Sequence, residues 1–146
     1  EKCPEDDRPR KAIETCRAWI NTGVFKMAVI RGASLSAHSA AREVGEDSPA
    51  RSAARAAGQA VATAHVPAHS MGAAIYAQQA IHRAASAEDA DAGVARERDW
   101  QYQRLVELSK SGLPAELPLS ESVLKNPTRN HFRSKSWVAL PLQGEG

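Results

Sequence analysis

Large side chains for a core are what this 146-residue chain has least of. Aromatic residues make up 5% of it, against 42% hydrophobic overall, and alanine supplies much of the difference. A core built this way excludes packing around big rings and depends on close backbone approach instead. Cysteine occurs twice, as Cys3 and Cys16, too few for a disulfide framework and without metal-ligand spacing. Cys16 falls on an apolar helix face, where a free buried thiol is expected, and a reducing, cytoplasmic setting follows. The charge excess is also small, +2 from 19 basic and 17 acidic residues. No strong field for nucleic acid is expected from that balance. No apolar run approaches the length of a membrane span, and no signal-peptide pattern appears, so no membrane partner is expected. The chain begins at Glu1 with no methionine, which leaves room upstream for a targeting segment or another helix. Strand signals are almost missing: β-branched residues are scattered and clean alternation never lasts.

Helix signals recur. Asp7 reads as an N-cap with Pro9 in the first turn, and Ile13, Cys16 and Ile20, flanked by Ala12 and Trp19, mark one face up to Gly23. The first helix is predicted over 8–21. A second, over 24–44, carries Met27, Ile30, Ala37, Ala41 and Val44 as its stripe and ends at Gly45. Ser48 and Pro49 open a third. There Arg51, Arg55 and Gln59 step by four and read as the solvent stripe, with Ala53, Ala57, Ala60 and Ala64 largely opposite. Pro67 should kink or break the run, because its ring clashes with the Thr63 carbonyl. A fourth helix follows over 68–85, with Ala73, Ala77, Ala80, Ile81 and Ala84 on one side. Ser86 and Asp89 can cap a fifth over 87–110, whose apolar positions are Val94, Leu105 and Leu108. The expected fold is therefore all-α: an antiparallel bundle of about five helices over 1–112, with an irregular, extended C-terminal tail over 113–146. That tail holds four prolines, a candidate helical turn at Ser120–Leu124, and Trp137, Val138 and Leu140 as residues able to dock it.

ATAHVPAHSMGAA (62–74) raises the chemical question. His65 and His69 stand four apart, the spacing of the first two ligands in a helical zinc motif, and His38 is the best candidate for a third. Val66 stands where H-E-x-x-H carries its glutamate, so the usual zinc-hydrolase base is missing. The reading preferred is a pair of partly buried imidazoles bonded to a carbonyl, a carboxylate or Tyr76, with no metal and no cofactor. No nucleophile elbow and no phosphate-binding glycine loop occur. Arg8 and Arg10 crowd the first helix start and are weak candidates for partner contact. Trp19 and Trp100 read first as packing residues, yet Trp100 lies off the Val94–Leu105 stripe on a charged stretch, where an exposed tryptophan would anchor an interface.

Three stretches carry a family resemblance: EDDRPRKAIETCRAW (5–19), ARAAGQAVATAHVPAHSMGAAIYA (54–77) and ARERDWQYQRL (95–105). Together they resemble the bacterial Imm-5-like immunity proteins, small alanine-rich helical proteins, over about residues 4–110. The family usually carries a helix upstream of the first block and alanine where this chain has Pro67. The resemblance implies a cognate protein toxin as partner, neutralised by binding and occlusion without catalysis. Two alternatives stand beside it: a small metal- or histidine-dependent enzyme centred on His38, His65 and His69, and a self-associating helical module forming a homodimer.

Overall fold

Several helix ends rest on local signals. In the computed structural model, which describes residues 5–111, the chain forms α1 (Arg8–Thr22), α2 (Met27–Arg42), α3 (Pro49–Ala62), α4 (His69–Ala84) and α5 (Ala90–Lys110), with no strand among the described residues. The all-α bundle is as the periodicity predicts. Cys3 and the tail expected over 113–146, with Ser120–Leu124 and Trp137, Val138 and Leu140, lie outside the described residues.

Gly23 closes α1 in the left-handed region, at φ 66°, and its N–H reaches the Trp19 carbonyl at 2.8 Å. The next three residues are not helical, Lys26 being extended, so α2 starts at Met27 rather than at the predicted 24. Ser48 caps α3 as expected, its hydroxyl accepting from the Ala50 N–H at 3.2 Å. The cap of α1 is a correction. Asp7 already has helical dihedrals, so its carboxylate makes no cap bond and pairs with Lys11 at 2.8 Å instead. Asp6 accepts from the Arg8 N–H at 3.1 Å and does the capping. Ser86 accepts from the Asp89 N–H at 3.3 Å, and the regular helix begins only after that turn, at Ala90.

The core gathers around α3. Ala12, Ile30, Ala37, Ala57 and Val61 are buried together, with Ile13, Cys16, Trp19 and Phe25 packed on their edge, and Ala40, Ala41 and Ala54 form a smaller cluster. Small residues let the helices meet side chain to backbone: the buried Ser34 hydroxyl of α2 donates to the Gly58 carbonyl of α3 at 2.9 Å. Among the described residues, α3 packs against α1, α2 and α4, while α5 packs against α4 alone. That last fact explains several departures from the predicted stripes. Leu105 and Leu108, predicted as apolar positions of this helix, are exposed because α5 has one neighbour among the described residues. Ile20 and Met27 are exposed as well, since they stand at the end of the bundle around the Gly23 turn.

Ile30 is almost wholly buried, whereas Leu35 on the same helix is 55% exposed. Ile30→Ala should therefore cost about 2–5 kcal/mol of unfolding free energy, and Leu35→Ala about 0.5 kcal/mol or less. Urea unfolding at unchanged m-value measures both, and equal losses would contradict this assignment of the α2 faces.

Candidate functional site

Pro67 breaks the chain between α3 and α4, as predicted, and the break builds the histidine junction. From Thr63 to His65 the backbone tightens: Ala64 and His65 donate to Val61 and Ala62 three residues back, at 3.3 and 3.1 Å. His65 thus lies in the connecting turn, and His69 is the first residue of α4. Their rings still approach, with centroids 5.6 Å apart and planes tilted by 50°. His69 Nδ1 donates to the Gln59 side-chain oxygen on α3, which fixes its ring orientation. Gly72 leaves room for that glutamine, since a Cβ there would sit 3.0 Å from the amide carbon. Tyr76, one of the three kinds of partner expected from sequence, is engaged by Arg55 instead.

His65 corrects the expectation of a fully satisfied pair. Its Nδ1 is enclosed and finds no hydrogen-bond partner among the described residues. Burial, then the charges of His69 and Arg31, push its pKa below the ordinary histidine value. His38 joins the same region from α2, lying against Gly58, where a Cβ would meet its Nε2 at 2.9 Å. Burial first, then Arg55, Arg42 and His69, lower its pKa too. His69 therefore bears on both of the other histidines singled out in the sequence. Among the described residues, no group of three or more His, Cys, Asp or Glu is arranged to hold a metal ion.

Beside this junction runs a polar seam that the sequence reading missed. Arg51, Arg55 and Gln59, expected in solvent, are half-buried and face α4. Arg55 donates to the Tyr76 hydroxyl at 3.2 Å and lies 5.6 Å from its ring centre. The Ser52 hydroxyl donates to Gln79 at 3.0 Å and accepts from Arg83 at 2.9 Å. The signal was present in sequence: His69, Tyr76, Gln79 and Arg83 follow helical spacing and match the stripe on α3. Two polar stripes read as two wet faces unless something shows that they meet.

The weak partner candidates separate. Arg8 is committed inside the fold, donating to Asp6 at 2.7 Å and to Glu43, just past α2, at 2.8 Å. Glu43 first and Asp6 second hold the guanidinium firmly protonated, and Arg8 in turn lowers both carboxyl pKa values. Arg10 is exposed, on the rim of an apolar groove of about 850 Å³ floored by α3 alanines such as Ala53 and Ala57. Trp19 packs on the core as read, but Trp100 is 63% exposed, so packing within the described bundle is not its role. Arg96 and Arg104 stand one turn to either side of it. No helix among the described residues is long and apolar enough to cross a membrane.

The lowered histidine pKa values set a pH window. The unfolded chain takes up protons near pH 6.5 that folded His38 and His65 refuse, so their contribution is complete above that pH and is lost as pH falls through the lower folded values. Asp6 and Glu43 act only in the lower carboxylate range. The urea midpoint should thus fall between pH 7 and 5, and the double substitution His38→Gln/His65→Gln should flatten that slope. An unchanged slope would assign the loss to other groups.

Comparison with known proteins agrees with the helical blocks. No curated protein and no solved structure matched the chain. One family model did, over residues 1–108, a span that reaches from before α1 almost to the end of α5. The chain belongs to the Imm-5 like putative immunity protein family.

Proposed function

We propose that this protein is a non-enzymatic immunity protein that binds a bacterial protein toxin in the cytoplasm and blocks it by occlusion. Membership of the immunity family over residues 1–108 carries the reading. The surface is compatible with it. α5 uses one face on α4 and leaves Trp100, Tyr102 and Leu105 each more than 60% exposed among charged neighbours. Aromatic residues flanked by arginine are the usual anchors of a protein interface. The surrounding charges of α5, Arg96, Arg98, Asp99 and Arg104, would then give partner selectivity more than affinity.

Co-expression with the toxin encoded beside this gene tests the proposal. Growth should be restored by the unaltered chain, and Trp100→Ala should weaken the captured complex by about tenfold or more, since a central anchor is worth about 2 kcal/mol. The helical content of that variant should not change, because its side chain is 63% exposed. Failure of any neighbouring toxin to be neutralised or captured would sink the proposal. Light scattering covers self-association: a dimer abolished by Trp100→Ala would move the toxin surface away from α5.

A further inference from the structure

The α3–α4 seam opens at one end into a cleft of about 310 Å³, lined by Arg51, Arg55, Tyr76, Gln79 and Arg83, with Glu46 and Asp47 at its edge. Its polar groups are unbalanced towards donors. Arg55 pairs with no carboxylate among the described residues, and its contact is the Tyr76 hydroxyl. That hydroxyl accepts from Arg55, and its own hydrogen meets no acceptor there. Gln79 uses its oxygen on Ser52, leaving the amide N–H₂ without an acceptor among the described residues. Arg51 and Arg83 are held in place, their side chains 18% and 23% exposed. Arg83 is fixed by Ser52, and Arg51 reaches the Val44 carbonyl at 3.4 Å.

The acidic groups at the cleft do not balance this. Glu46 approaches Arg51 only at 3.8 Å, Asp47 accepts a hydrogen bond from Arg83 at 3.3 Å, and both carboxylates are at least 90% exposed. Ion pairs so open to water contribute little. The cleft therefore offers the Arg55 guanidinium, the remaining N–H groups of Arg51 and Arg83, a phenol O–H and an amide N–H₂ to a ligand that accepts. A carboxylate, with two oxygens, engages part of that set. A tetrahedral phosphate presents oxygens in more directions, and planar guanidinium forks suit it. The volume, at the low end for small-ligand sites, leaves room beyond the phosphate itself.

We propose that the Arg51–Arg55–Arg83 cleft binds a phosphate group, either the free ion or the phosphate of a small monoester. The site is independent of the toxin reading and uses no residue of the α5 surface. Titration of the ¹⁵N-labelled full chain with inorganic phosphate, followed by NMR at constant ionic strength, tests it. Saturable shifts confined to the residues around the cleft are expected, and sodium chloride should not produce them. Arg55→Gln should raise the dissociation constant about tenfold, the loss of one charged donor. Arg55→Lys, which keeps the charge and removes the fork, should fall between, and serves if the glutamine variant does not fold. Glycerol 3-phosphate assigns the source: tighter binding than inorganic phosphate points to a monoester, weaker binding to the free ion. A linear response shared with chloride, or wild-type affinity in the folded Arg55 variants, overturns the proposal.

Discussion

Close approach to α3 is the constraint on which the rest of this bundle depends. With so few large side chains, only Ile30 and Val61 among the bigger apolar residues described are fully buried. Each helix contact therefore removes modest area, and its strength rests on fit. The Ser34–Gly58 contact shows how it is met: a small hydroxyl side chain bonds directly to the backbone of the neighbouring helix. A larger residue at either position would push α2 from α3. Gly58 does a second service by admitting the His38 ring, so one glycine supports both the core and the histidine junction.

The same helix carries two chemistries. One side of α3 is alanine and meets α1 and α2; the side facing α4 holds Arg51, Arg55 and Gln59. α4 answers with Gln79, Tyr76 and His69, so the α3–α4 contact is held by hydrogen bonds as much as by apolar burial. None of the α4 residues is fully buried, which fits a polar interface with water at its edges. Placing α5 beyond that layer leaves its outer residues, Trp100 above all, without a cover among the described residues.

Much of this was legible in the sequence, and the misses share a cause. Helix number, the Gly23 and Ser48 signals and the break at Pro67 are local, so chain chemistry alone exposes them. The burial of Ala12, Ile30 and Ala37 followed from helical spacing. Arg51 and Arg55 were misread because a polar stripe looks the same whether it faces water or another polar stripe. Leu105 was misread for the opposite reason: an apolar position implies burial only where a neighbouring helix exists. At α1 the cap moved from Asp7 to Asp6, a difference that turns on backbone dihedrals rather than on residue type. The His65–His69 proximity survived the break because the tight turn brings His65 back against the first residue of α4.

Stoichiometry is the sharpest test of the function proposed for this family member. Purified protein is titrated into a fixed amount of the neighbouring toxin while the toxin's residual activity is read. Occlusion predicts a linear fall that ends at a fixed stoichiometric equivalence, with activity returning when the complex is dissociated. Loss of activity at far less than one equivalent, continuing with time and not reversed by dissociation, would mean that the protein alters its target catalytically and would contradict the account.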